Sequence, residues 1–275
     1  MTASGKTENS KLAQVLTETQ VQQFISDGFV KVEHAFSREL ANEARTVFWK
    51  DLRAYGCVPD DPDTWTYPVI RLGMYDQKPV VAAANTTALR AAFDQLAGQG
   101  CWLPCRSVGT LPVRFPSPDD PGDTGWHVDA SFDYEKSDFM DWRVNIRSRG
   151  RALLMLFLFT DVGEEDAPTR LRAGSHKDIA RALVPAGEAG LSLRELIPHI
   201  ADTSARPEVI ATGSAGTVYL CHPFLVHSAQ MHRGSEPRFL AQPPLLPRSE
   251  PWLGSLEQSN VPVARAISLA LEEGM

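Results

Sequence analysis

The chain is poor in the features that mark secreted, membrane-bound or nucleic-acid-binding proteins. It has four cysteines in 275 residues, Cys57, Cys101, Cys105 and Cys221. Cys101 and Cys105 are close but not in C-x-x-C spacing, and no second pair completes a zinc site, so reduced and mostly buried thiols are expected. Basic residues are outnumbered, 27 Lys and Arg against 34 Asp and Glu, giving a formal net charge of −7. Such a chain lacks the broad electropositive face that a phosphate backbone requires, so nucleic acid is not an expected partner. A local basic pocket for a small anion stays compatible with this balance. The longest apolar run, LLMLFLF at Leu153 to Phe159, has the length of a buried strand and cannot span a bilayer. MTASGKTENSK at the N-terminus has no apolar signal core, and ALEEGM at the C-terminus is not a peroxisomal address. The expected location is therefore the cytoplasm, with no membrane partner. Internal repeats and low-complexity tracts are also missing.

The sequence does carry an ordered series of elements. Residues 1–12 read as a disordered lead-in. In LTETQVQQFISDGF, Thr17 and Gln20 have capping-box spacing, Val21, Phe24 and Ile25 form an apolar stripe, and Gly28 is placed to end the helix. FVKVEHAF reads as a short strand. Ser37 caps a second helix with Leu40, Ala44, Val47 and Phe48 on one face. A third helix is expected over Thr87 to Ala97, and a helical insertion near Leu191 to Ile200. From Trp102 onward, short apolar or alternating runs are separated by Pro- and Gly-rich turns, a pattern of sandwiches and barrels rather than of βαβ units. The expected architecture is mainly β with flanking α: one unit over 1–275, with a helical layer over 13–100 and a β core over 101–248.

GWHVDASF raises the question of chemistry. In a strand, His127 and Asp129 point to one side while Val128 points away. An imidazole with a carboxylate suits Fe(II), Mn(II) or Zn(II), but H-x-D alone is a weak pattern. Seven histidines are available for a second imidazole. His34, His176 and His199 lie in plainer contexts. His222 and His227, in CHPFLVHSA, differ by an odd number of positions, so in a regular strand only one enters a shared pocket. Arg238 lies eleven residues beyond His227, across a turn-rich segment. A hairpin there would set Arg238 on the strand beside His227. A partly buried arginine needs an anion, either a nearby Asp or Glu or a ligand carboxylate gripped through two parallel hydrogen bonds.

This order of residues resembles the phytanoyl-CoA dioxygenase family. Four stretches carry the likeness: LTETQVQQFISDGFVKVEHAFS, GWHVDASF, LFLFTDVGEEDAPTRLRAGSHK and GTVYLCHPFLVHSA, together spanning about Leu16 to Leu245. The resemblance implies a double-stranded β-helix (a cupin-like jelly roll) and a non-haem Fe(II)- and 2-oxoglutarate-dependent dioxygenase that also consumes O2. Carried over by position, His127, Asp129 and His227 would be the metal ligands and catalytic centre, and Arg238 would bind the distal carboxylate of 2-oxoglutarate. Hydroxylation or a related oxidation of a small molecule, with release of succinate and CO2, is the implied reaction. Retention of Asp129 argues against halogenation. One departure stands out: many relatives carry a hydroxyl two residues after the second histidine, where this chain has Ala229. Thr169 is one alternative source of a hydroxyl.

Two other readings stay open on the sequence. One is a cupin-like metal-dependent isomerase or hydrolase that does not use 2-oxoglutarate; the other is a non-catalytic binding module. The segment WRVNIRSRGR places Arg143, Asn145, Arg147, Arg149 and Arg151 at alternate positions. In an extended strand they would share a face, as a charge-guarded edge or as a lip for an anionic substrate. Trp126 is expected either to pack the core or to wall the pocket. The loop with Asp133, Tyr134 and Glu135 is a candidate lid.

Overall fold

The computed structural model describes residues 14–253 and 260–273. The expected lead-in over 1–12 lies outside them. Seven α-helices and twelve strands occur among the described residues. In chain order these are α1 (Glu18–Asp27), β1 (Phe29–Val32), α2 (Arg38–Leu52), β2 (Val69–Leu72), α3 (Lys78–Ala84), α4 (Thr87–Ala97), β3 (Leu111–Arg114), β4 (Arg143–Val144), β5 (Leu153–Leu158) and β6 (Arg170–Arg172). There follow α5 (Ser175–Leu183), β7 (Leu191–Ser192), α6 (Leu193–Asp202), β8 (Glu208–Ile210), β9 (Val218–Cys221), β10 (His227–Ser228), β11 (Leu240–Ala241), β12 (Pro244–Leu245) and α7 (Pro262–Glu272).

Local chemistry explains the helix ends. Thr17 and Gln20 form the capping box of α1, and Ser37 accepts the Leu40 N–H at the start of α2. Gly28 ends α1 at φ 85°, a left-handed conformation that glycine adopts without strain. The insertion starts two residues later than its hydrophobic pattern suggests. Leu191 and Ser192 pair with β4 instead, and Ser192 forms a capping box with Glu195. The helix α7 comes from a segment to which the sequence pattern assigned no element.

A five-stranded antiparallel sheet runs β1-β9-β5-β11, with β12 also on β5. A three-stranded sheet runs β10-β6-β8. Between them lies an apolar interior of Phe29, Leu154, Leu156, Leu158, Leu171, Leu225 and Leu240. The other face of β5, Leu153, Met155 and Phe157, packs under the helices with Phe24, Phe48, Leu89, Phe93 and Ile267. Burial on both faces is why β5 reads as an unbroken apolar run rather than an alternating one. No helix among the described residues is long and apolar enough to cross a membrane.

The junction of α1, β1 and α5 is packed without slack. A Cβ on Gly28 would collide with the His176 ring and the Leu225 side chain, at a backbone conformation already unfavourable to L residues. Gly28→Ala is therefore expected to cost about 2–5 kcal/mol, the sum of left-handed strain and overpacking. Urea unfolding of the variant beside wild type checks this.

The regular alternation expected for the arginine segment does not form. Only Arg143 and Val144 are in a strand; Ser148 has φ 49°, and the chain turns through Gly150. The side chains accordingly disperse. Arg143 donates to the carbonyls of Ala189 and Gly190, Asn145 to that of Glu188, and Arg147 pairs with the Glu188 carboxylate. Arg149 lies over the Phe132 ring, and Arg151 reaches Asp129. The turn is stabilised by its own backbone bonds, Ser148 N–H to Asn145 and Arg151 N–H to Ser148, which an extended strand could not make.

Candidate metal centre

The stretch CHPFLVHSA is not one strand. β9 ends at Cys221, Pro223 follows in a turn closed by the Leu225 N–H to the His222 carbonyl, and β10 begins at His227 in the other sheet. The two histidines therefore part company because the chain changes sheets, not because of strand parity. His222 is fully buried among Phe24, Phe224 and His176. His227 lies opposite Leu171 in β6 on one side and opposite His127 on the other. The second pairing is a two-bond bridge, each N–H donating to the other residue's carbonyl at 2.9 Å. Directly opposed residues of an antiparallel pair share a face, so both imidazoles point the same way as Leu171, into the jelly-roll interior.

Asp129 completes the group. Its Oδ1 lies 3.7 Å from His227 Nε2 and 3.9 Å from His127 Nε2, and one ligating atom from each of the three residues lies within 4.8 Å of the others. Val128, between two of them, is buried in the other cluster, with the helices. Both imidazoles are oriented from behind. His127 Nδ1 is 2.9 Å from the Gly125 carbonyl and His227 Nδ1 is 3.0 Å from the Leu225 carbonyl. A carbonyl only accepts, so each Nδ1 carries the hydrogen and each Nε2 presents a lone pair toward Asp129. Burial, and after it the neighbouring His127, push the His227 pKa down to about 4, which keeps the ring neutral as ligation requires. For Asp129, burial opposes ionisation, but the Arg151 guanidinium beside it holds the carboxyl below its usual range. Two imidazole nitrogens and one carboxylate oxygen, with carbonyls fixing the tautomers, form a donor set that fits Fe(II) and leaves coordination positions open.

Sequence reasoning missed the role of Arg151, which the alternating pattern assigned to a surface face. Its side chain is buried, Nη1 lies 3.0 Å from Asp129 Oδ2, and Nη2 donates to the Ala130 carbonyl at 3.0 Å. One carboxylate oxygen thus faces the histidines while the other is held by the guanidinium. Cys221 lies in the same buried interior; burial, and the charge of Asp129 after it, push its thiol well up, so it stays protonated.

Arg238 is not on the strand beside His227. It enters the five-stranded sheet just before β11 and forms a backbone bridge with Arg114, because the chain after His232 crosses back to β5 rather than closing a hairpin on β10. It is nevertheless 2% exposed and faces inward. Phe239 packs against Trp49 under the helices, while Leu240 joins the interior, so Arg238 shares Leu240's side. Its guanidinium donates to the carbonyls of Ala167 and Pro112, and Nε has no partner. Among the described residues, no carboxylate lies within ion-pair reach of it.

The remaining candidates sort by position. The guanidiniums of Arg170 and Arg172 lie over the Trp126 ring, their centres 4.7 and 4.0 Å from its centroid. It packs on the face opposite the metal centre. Ser228 turns its hydroxyl to the Thr124 carbonyl and accepts from Arg170, away from the histidines. Thr169 is buried. The His127 side chain is 45% exposed, which marks the open side of the site. The loop after Phe132 brings Tyr134, Phe139 and Trp142 into edge-to-face contact, and the Tyr134 hydroxyl donates to the Ala130 carbonyl, next to a triad residue.

Comparison with known proteins agrees with this architecture. Among solved structures, the chain is similar to the non-haem alpha-ketoglutarate-dependent carbocyclase SnoK of nogalamycin biosynthesis, with TM-score 0.55, 18% identity and 82% of each chain covered. It is similar to EctD from S. alaskensis, solved with 2-oxoglutarate and 5-hydroxyectoine, with TM-score 0.53, 19% identity, and 84% of this chain and 76% of that one covered. GIG2 of Candida albicans gives TM-score 0.54 at 13% identity, covering 84% of this chain and 64% of that one. At such identities the likeness establishes the jelly-roll fold. No curated protein matches the sequence. Residues 10–240 match the family described as phytanoyl-CoA dioxygenase (PhyH), which is most of the chain. The chain belongs to the phytanoyl-CoA dioxygenase family of 2-oxoglutarate-dependent oxygenases.

Proposed function

We propose that the protein is a non-haem Fe(II)- and 2-oxoglutarate-dependent dioxygenase that hydroxylates, or otherwise oxidises, a small molecule. The observation that carries this is the convergence of His127, Asp129 and His227, with both Nε2 lone pairs and one carboxylate oxygen facing a common point. In this reading those three residues hold the iron on one face, and Arg238 holds the distal carboxylate of 2-oxoglutarate. Bound iron would couple reduction of O2 to oxidative decarboxylation of 2-oxoglutarate, giving succinate and CO2.

The chain's own residues then have defined tasks. The Gly125 and Leu225 carbonyls keep the imidazoles in the ligating tautomer. Arg151 holds Asp129 Oδ2, so that Oδ1 alone turns to the metal and positions stay free for co-substrate and O2. Arg238 meets a carboxylate as a buried guanidinium with an unspent N–H, and so favours a dicarboxylic keto acid over a simple one. The apolar interior of Leu154, Leu156, Leu158, Leu171 and Leu240 shields the reaction from water on one side. The substrate would approach from the open side, past His127 and the Tyr134, Phe139 and Trp142 rings.

Adding Fe(II) and 2-oxoglutarate to metal-free protein under anaerobic conditions is expected to give a visible charge-transfer band that His127→Ala lacks. Metal binding without any band would remove the oxygenase reading and favour a metal-dependent isomerase or hydrolase on the same ligands.

A further inference from the structure

Beyond Arg238, the structure holds a second buried arginine whose guanidinium is only partly satisfied by the protein. Arg114 ends β3, is 1% exposed, and bridges Arg238 through both backbone bonds, at 3.1 and 2.8 Å. Directly opposed residues share a face, so the two side chains enter the interior together. The neighbours of Arg114 confirm its direction: Val113 and Phe115 both pack in the cluster beneath the helices, on the other side.

The local charge does not balance. Asp123 is the carboxylate at this place, and it serves two cations. Its Oδ1 lies 2.7 Å from Arg114 Nη2 and its Oδ2 lies 2.6 Å from Arg71 Nη2. Arg238 has only two carbonyls. Three guanidinium nitrogens, Arg114 Nε, Arg114 Nη1 and Arg238 Nε, are buried without any acceptor. Leaving such donors unmet in the interior is costly, and a pair of facing cations more so. The strain is visible in Arg238, whose pKa is pushed well down by burial and then by Arg114. A carboxylate placed between the two side chains would meet the open donors and supply the missing negative charge.

We propose that Arg114 and Arg238 together seat the distal carboxylate of the keto-acid co-substrate, one guanidinium on each side, with Asp123 holding Arg114 in place until the ligand arrives. This rests on the 2-oxoglutarate reading above and adds a second binding residue to it. The co-substrate's far end is then recognised by charge from two directions rather than by one arginine and a hydroxyl.

The test is an anaerobic titration of the Fe(II) protein, read from the charge-transfer band, with two keto acids. One is 2-oxoglutarate; the other is 2-oxovalerate, of equal chain length but with a methyl in place of the distal carboxylate. Arg114→Met is expected to raise the Kd for 2-oxoglutarate about 10- to 100-fold, the range for charged hydrogen bonds, while leaving that for 2-oxovalerate within about twofold. Arg114→Lys should recover part of the loss. Equal weakening of both keto acids would assign Arg114 a purely structural role, and no weakening would also overturn the proposal. If Arg114→Met does not fold, Arg114→Gln decides: it keeps a polar donor without the charge and is expected to weaken 2-oxoglutarate about 10-fold while leaving 2-oxovalerate within about twofold, and an equal effect on both keto acids, or none, overturns the proposal. A wild-type protein that forms no band with 2-oxoglutarate would instead defeat the dioxygenase reading itself, so the two failures are distinguishable.

Discussion

Replacing Arg151 by methionine is expected to weaken Fe(II) binding about 10- to 100-fold, the usual cost of removing a group that orients a metal ligand. Asp129 has two oxygens, and the structure divides them: Oδ1 toward the histidine Nε2 atoms at 3.7 and 3.9 Å, Oδ2 on Arg151 Nη1 at 3.0 Å. Without the guanidinium the carboxylate is free to rotate or to offer both oxygens to the ion. It also loses the nearby positive charge that most favours its ionised form. Arg151 further pins the chain just after Asp129 through the Ala130 carbonyl, so the variant loosens both the ligand and its backbone. Lysine at 151 supplies the charge without the planar fork and should restore only part of the affinity. Competition against a chelator of known strength, with circular dichroism to show that the variant folds, measures the effect. A folded Arg151→Met protein with wild-type affinity would show that Asp129 orients itself.

Acid is expected to destabilise the protein above the pH at which carboxylates titrate, because a contacting pair of histidines outside the metal centre, His176 and His222, is buried neutral. The His176 and His222 rings are 4.9 Å apart. His176 Nε2 lies 3.1 Å from the Ile25 carbonyl and His222 Nε2 lies 3.2 Å from the Val263 carbonyl, so each Nε2 carries a hydrogen. His222 Nδ1 already accepts the Phe224 N–H, and His176 Nδ1 is enclosed without a partner, over Gly28. Neither ring has a place for a second proton. Burial lowers His222 to about 3, and burial followed by the His222 ring lowers His176 well below its ordinary value. Both folded values lie below the unfolded one, near 6.5. The unfolded chain therefore binds more protons, and stability present above pH 6.5 is lost as the pH falls toward the folded values. At pH 5 the His222 site alone withdraws roughly 2 kcal/mol, at about 1.4 kcal/mol per pH unit below 6.5, and His176 adds to it in the same direction. That is a sizeable part of the 5–15 kcal/mol typical of a folded domain. Urea unfolding between pH 7.5 and 5 is the measurement. His176→Gln should reduce the pH slope by about one proton; an unchanged slope would show that the ring protonates without penalty in the fold.

Much of the site was legible in the sequence for a local reason. His127 and Asp129 lie two apart on an extended segment, and that spacing alone puts their side chains on one side. The caps at Thr17 and Ser37 were legible on the same ground, since a hydroxyl and the N–H three residues on are neighbours whatever the rest of the chain does. The jelly roll and its family followed from the order of four stretches, and the fold agrees. What spacing could not supply was any contact made by a turn or between sheets. The alternating arginines looked like one face because nothing local announced the reversal at Ser148 and Gly150, and the partner that makes Arg151 a positioning residue lies 22 positions away. His222 and His227 were separated by a change of sheet at Pro223, not by parity. Arg114 passed unnoticed in an ordinary-looking strand; its meaning depends on Arg238 lying opposite across 124 residues, with too little negative charge between them. Sequence periodicity determined which residues face together within one element. Which elements face one another, and hence which buried charges are left in want of a ligand, was decided only when the sheets closed over them.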